Sequence, residues 1–204
     1  ITYRLFNDFS IVTKGTSYLA ESRAGTGYTK QAHYLLGFAF RPVDFNWLNM
    51  IAKVEHKVQD NQVVQPTDYY RATIASAHAY VEPLPSFEIG LKYAVKDAFE
   101  TLGGTSFSTL TDFILCRPQY DVTNWMNVAG ELRLLRQRGA NDMKVGYSGE
   151  LGVVFIRNTM LSFGYNFQAY KDRDLVEYIY SVQGPYVTVR IKFTEELFGL
   201  NALE

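Results

Sequence analysis

The chain has 204 residues, 47% of them hydrophobic, with 20 Lys and Arg set against 21 Asp and Glu. That balance offers no basic excess for nucleic acid and no acidic tail to recruit a partner by charge, and the apolar content argues against disorder. The single cysteine, Cys116, excludes an intrachain disulfide and any cysteine-based metal cluster.

No run reaches the roughly 18 apolar residues that a membrane helix requires. Aromatics are dense at 15%, more than a soluble core needs. In chain order, period-two alternation predicts strands over about 1–6, 9–20, 28–41, 47–58, 69–81, 87–96, 107–117, 125–135, 143–156, 159–170 and 185–193. No segment has a helical period. The third strand sets Ala32, Tyr34, Leu36, Phe38 and Phe40 against Gln31, His33, Gly37 and Arg41. The fourth opposes Leu48, Met50, Ala52 and Val54 to Asn49, Lys53, Glu55 and Lys57. The fifth carries Ala75, Ala77 and Ala79 on one face and His78 on the other. The sixth, eighth and ninth repeat the pattern: Leu91 and Tyr93 against Glu88, Lys92 and Lys96, Leu132 against Glu131 and Arg133, Leu151 and Val153 against Lys144 and Glu150. In the last two strands Phe163, Tyr165, Val189, Ile191 and Phe193 alternate with small or charged residues, among them Arg190 and Lys192. The second and seventh strands do not reveal their facing.

Short Pro-, Asn- and Asp-rich turns at Asn7-Asp8, 42–46, 82–86, 118–124 and Arg157-Asn158 alternate with longer polar loops near 21–27, 59–68, 97–106, 136–142 and 171–183. Aromatics gather at the turn ends (Phe9, Phe40, Phe45, Trp47, Phe87, Trp125, Phe155) and at the loop ends (Tyr28, Tyr34, Tyr69, Tyr70, Tyr93, Tyr170). Loop asymmetry, two aromatic belts and alternating strands together predict an all-β, antiparallel, up-and-down transmembrane β-barrel. Residues 1–204 then form one domain of the bacterial outer membrane, with membrane lipid as its solvent. The lumen-lining set is Lys53, Glu55, Lys57, His78, Glu88, Lys92, Glu131, Arg133, Lys144, Glu150, Arg190 and Lys192. The lipid-facing set is Phe38, Phe40, Leu91, Tyr93, Leu132, Leu151, Val153, Phe163, Tyr165, Val189, Ile191 and Phe193. Such barrels close on an even strand number. About eleven visible strands, the first a stub, therefore predict a further strand before residue 1, about 12–14 in all, and a chain that is the C-terminal part of a longer polypeptide.

The run Phe40-Arg-Pro-Val-Asp-Phe-Asn-Trp-Leu-Asn-Met-Ile-Ala-Lys53 resembles a hairpin of the C-terminal barrels of large multidomain Gram-negative outer-membrane proteins. Gly164-Tyr-Asn-Phe, Lys171-Asp-Arg-Asp-Leu175 and Gly184-Pro-Tyr with Arg190-Ile-Lys-Phe193 are similar to their closing hairpin. The resemblance spans about 40–193. It implies fold, membrane and an anchoring role, with upstream modules or other envelope proteins as partners, and it implies no catalytic residues.

No nucleophile elbow is present, and Ser76 lies two residues from His78 along a strand, a poor spacing for a catalytic pair. His33 and His78 read as hydrogen-bonded lumen residues. Asp172, Asp174 and Glu177 alternate like calcium ligands, but Arg173 interrupts them and no Gly follows at the required place, so they read as a solvated loop. Gly103-Gly104 reads as a flexible tip. No metal, cofactor or catalytic residue is assigned. The inward charges leave a filled anchor, a small porin or export channel, or a soluble lipocalin-like ligand-binding barrel as the competing functions.

Overall fold

The computed structural model describes residues 2–4, 8–21, 27–42, 44, 47–63, 68–156, 159–170, 172–175 and 182–191. Expectations resting on Asn7, Phe45, Arg157, Asn158, Lys171, Glu177, Lys192 and Phe193 lie outside these residues. Eleven strands follow in chain order: β1 (Thr2–Arg4), β2 (Phe9–Glu21), β3 (Tyr28–Phe40), β4 (Leu48–Asn61), β5 (Asp68–Leu84), β6 (Phe87–Leu102), β7 (Thr105–Thr123), β8 (Met126–Gln137), β9 (Asp142–Ile156), β10 (Thr159–Gln168) and β11 (Gly184–Ile191). Each pairs antiparallel with the next in a single up-and-down sheet. Among the described residues there is no helix, and β1 and β11 do not pair with each other.

The fold is thus the all-β antiparallel meander that the alternation predicts, with two corrections to its connections. The expected loop 97–106 is ladder almost throughout, Leu102 opposing Thr105. Gly103 and Gly104 sit at φ of 60° and 83°, the left-handed geometry of a tight two-residue hairpin turn. The expected turn 118–124 is also mostly strand, because Gln119, Tyr120 and Asp121 pair with Ala129, Val128 and Asn127. In both places ladder hydrogen bonding extends past the point where the sequence turns polar.

The sheet rolls so that one face becomes an interior. Arg190 of β11 lines the same cavity as His78 and Tyr80 of β5 and Arg117 of β7, although five strands separate β11 from β5. Facing is sharp on β8, where Glu131 and Arg133 are 5% and 0% exposed and Leu132 between them is 51% exposed. The interior is not uniformly polar, as the alternation had implied. Tyr70, Ala72, Ile74, Ala94, Ala98, Phe113 and Leu135 form a buried apolar cluster with Tyr170 and Leu175. The ambiguity of β7 has its cause here: Phe113 and Leu115 face in while Ile114 and Cys116 face out, so both faces are apolar and alternation vanishes.

Candidate functional site

The interior holds three groups of polar side chains, arranged around the apolar cluster. The first lies between β3 and β4. Cross-strand register places His33 opposite Lys57 and Gly37 opposite Lys53, and all three functional side chains converge on Glu55. Lys53 Nζ lies 2.7 Å from Glu55 Oε1, and His33 Nε2 lies 2.9 Å from Oε2.

The second group joins four strands. Glu131 of β8 meets Arg133 Nε at 3.2 Å and Arg117 Nη1 at 3.4 Å. Arg117 also reaches Glu150 of β9, Nη2 to Oε2 at 3.1 Å. Glu150 in turn accepts from Arg190 Nη2 at 3.0 Å and from the Tyr186 hydroxyl at 3.2 Å, both on β11. The bond to β11 spans the intervening β10, whose inward residues there are small. Gly164 sits directly opposite Tyr186, and a methyl group at 164 would collide with the Tyr186 ring. Glycine leaves the space an aromatic neighbour covers, a recognised strand pairing.

The third group involves the connection between β10 and β11. Asp172 takes both oxygens to Lys96 Nζ, at 2.8 and 2.7 Å, and its Oδ1 also accepts the backbone N–H of Asp174 and of Leu175 at 2.9 and 3.0 Å. Asp174 accepts from Lys57 at 2.9 Å and from the Tyr70 hydroxyl. Arg173 lies 3.9 Å over the Tyr70 ring and donates to Gln59 at 2.6 Å. Leu175 is buried in the apolar cluster, and its carbonyl is 3.5 Å from Lys92 Nζ. The expected solvated loop is therefore wrong for Asp172, Asp174 and Leu175, whose side chains are seated inside because two basic residues and a tyrosine on β4, β5 and β6 supply partners there, while Arg173 between them stays exposed. Burial alone would raise the Asp174 carboxyl. The hydrogen bonds from Tyr70 and Lys57, with the charges of Lys57 and Lys96, outweigh it and hold Asp174 below the ordinary carboxylate range.

The seated segment separates two cavities. One, of about 380 Å³, is bounded by Leu175 and lined by His78, Glu88, Lys92, Arg117 and Arg190 among others. The second, of about 250 Å³, is bounded by Arg173 and Asp174 and lies against β2 and β3.

Of the charged residues singled out by alternation, Glu55, Glu131, Arg133 and Glu150 are buried, and Lys53, Lys57, His78, Glu88 and Lys92 are half-buried. Arg190 is more open yet paired with Glu150. Lys144 shares their parity but lies exposed at the strand end, 3.7 Å from Asp142. Lys192 is outside the described residues. On the opposite face Phe38, Leu91, Tyr93, Leu132, Leu151, Phe163, Tyr165, Val189 and Ile191 are exposed, while Phe40 and Val153 are half-buried. Phe40 packs on Phe9, ring centroids 5.1 Å apart.

Reading the sequence missed Arg117, Asp172, Asp174 and Tyr186 as members of these groups, whereas Lys96, on the parity of Lys92, was read as inward and is buried there. Arg117 was hidden by the ambiguity of β7. Nothing local marks 172–175 as an interior segment. No group of His, Cys, Asp and Glu suited to a metal occurs among the described residues.

No protein-family model matches the sequence, and no curated protein does. Among solved structures the chain is similar to the porin NanC in a rhombohedral crystal form, with 10% identity and a TM-score of 0.43 over 94% of this chain and 97% of that one.

Proposed function

We propose that this chain is a membrane-spanning β-barrel of a bacterial outer membrane whose filled interior suits it to anchor or display a larger envelope protein. Its membrane placement is supported by the sheet's outer face, where large apolar and aromatic side chains stand exposed on every strand from β2 to β11 except β5, whose outward Ala75, Ala77 and Ala79 are small. Such a surface is untenable in water over so many strands and ordinary in lipid. A lipocalin-like barrel would put that surface inside and its ion pairs outside.

The observation that carries the anchoring role is the seating of residues 172–175. An apolar cluster and three ion-paired groups occupy the interior, with the segment lodged among them. Buried charges tolerate a low-dielectric site only when paired, and a lumen filled in this way has no need to conduct. The resemblance to C-terminal barrels of multidomain proteins points the same way, with the partner being modules of the same polypeptide or another envelope protein. A channel is the second reading, and the two cavities flanking the seated segment favour it over any soluble alternative.

Reconstitution in planar bilayers distinguishes them. The anchor gives a quiet membrane, and steady ohmic steps from the intact chain would overturn it. Heat-modifiable gel mobility and a requirement for detergent test the membrane placement independently.

A further inference from the structure

The outward side of β6 to β9 is apolar through most of its height, then interrupted by a charged group near the Gly103-Gly104 and 138–141 turns. Asp112 of β7 faces outward in line with Ile114 and Cys116. Its carboxylate accepts from Arg138 Nε and Nη2 at 2.6 and 2.7 Å and from the Tyr93 hydroxyl at 3.1 Å. Arg136 stands directly opposite Asp112 in the ladder, is exposed, and acts on that carboxylate through its charge. Arg138 is ion-paired to Asp112 and Arg136 stands beside that pair, while Asp97 of β6 lies exposed on the same face level with Arg138, so two guanidinium and two carboxylate groups interrupt a face that is mostly apolar.

The height of the group is set by β8. From Trp125 at the opposite turn to Arg136 the chain rises about 37 Å along the strand, or about 28 Å once a tilt of about 40° is allowed. An outward apolar band is about 25 Å tall, so Arg136 and Arg138 stand just beyond it, where headgroups lie. Tyr93, with an apolar ring and a polar tip, suits the same boundary.

We infer that Arg136 and Arg138 bind the phosphate of an anionic lipid headgroup in the leaflet at this end of the barrel, an inference that rests on the membrane-spanning reading above. A guanidinium presents five N–H donors in a fork that matches phosphate. Asp112 uses only two of Arg138's.

The intact chain in dodecyl maltoside, titrated with dioleoyl phosphatidic acid or dioleoyl phosphatidylcholine, reports bound lipid by native mass spectrometry. Phosphatidic acid is retained about tenfold over phosphatidylcholine, the scale of one charge-assisted contact. Arg136→Gln with Arg138→Gln removes the preference. Asp112→Asn strengthens it, since the competing carboxylate is gone, whereas damage to the fold would weaken it; heat-modifiable mobility confirms that each variant is folded. Equal retention of the two lipids, indifference to the arginine pair, or weaker binding in Asp112→Asn overturns the inference. Displacement by millimolar inorganic phosphate marks a free-ion site and overturns it as well. A chain soluble without detergent defeats the membrane placement itself; a micelle-bound chain with no headgroup preference defeats only this inference.

Discussion

Lys96 on β6 holds Asp172 of the β10–β11 connection through both carboxylate oxygens, and the two side chains are only 7% and 9% exposed. Seventy-six residues apart in sequence, they fasten the connection to the wall facing it. Removing one partner of such a pair leaves a buried charge uncompensated, at a cost of about 3 kcal/mol or more. Lys96→Met is expected to lower the unfolding midpoint in detergent and to expose 172–175 to proteolysis, while Lys96→Met with Asp172→Leu recovers most of the loss. A single variant as stable and protease-resistant as the parent would refute the seating of the segment.

The carboxyl of Asp174 gives the segment a dependence on acid. Its native affinity for a proton is depressed by Tyr70 and Lys57. Its contribution is therefore complete above the ordinary Asp value of about 4 and is lost as pH falls through the lower native value. Cleavage within 172–175 by an acid-active protease should rise on going from pH 5 to pH 3, and Asp174→Asn should be cleaved at both. Under the channel reading the same acidification also opens conductance in planar bilayers; under the anchor reading the membrane stays quiet.

Glu150 is the point where β7, β9 and β11 meet. Glu150→Ala removes the partner that Arg117 and Arg190 share, and because Arg117 keeps Glu131 and Arg190 is half exposed it is expected to cost about 1–3 kcal/mol, measured by urea unfolding in micelles. Gly164→Ala, three strands from Arg117 but under the Tyr186 ring, should be destabilising by about 1–3 kcal/mol through overpacking. If Gly164→Ala is neutral, Tyr186 does not lie across β10 as described.

Leu132 separates lipid from water as the medium outside. It is half exposed between two buried charged neighbours. In a bilayer, Leu132→Arg near the midplane costs about 2–4 kcal/mol; on a water-facing surface the change would be worth about 0.5 kcal/mol or less. Unfolding in lipid vesicles decides between the two values.

Where one face is apolar and the other polar, strand and facing were both legible: Glu131, Leu132 and Arg133 declare their sides from sequence alone. Legibility failed for definite reasons. Phe113 to Cys116 is apolar on both faces, so β7 concealed both the inner cluster and Arg117. Asp172 and Asp174 look like any hydrated loop, because their partners Lys96, Lys57 and Tyr70 are distant in sequence and are brought near only by the rolling of the sheet. Turn length misled as well, since polar residues at 97–102 and 119–123 continue the ladder beyond the apolar zone.

The reach of Glu150 across β10 also bears on how the final hairpin finds its alignment. Sliding β11 by one position would turn Arg190 and Tyr186 away from their acceptor and send a guanidinium onto the apolar outer face. The mispaired state is thus penalised twice, by an orphaned carboxylate within and a stranded cation without. Correct alignment is in this way proofread by solvation rather than by backbone bonding, which would be equally satisfied in either register.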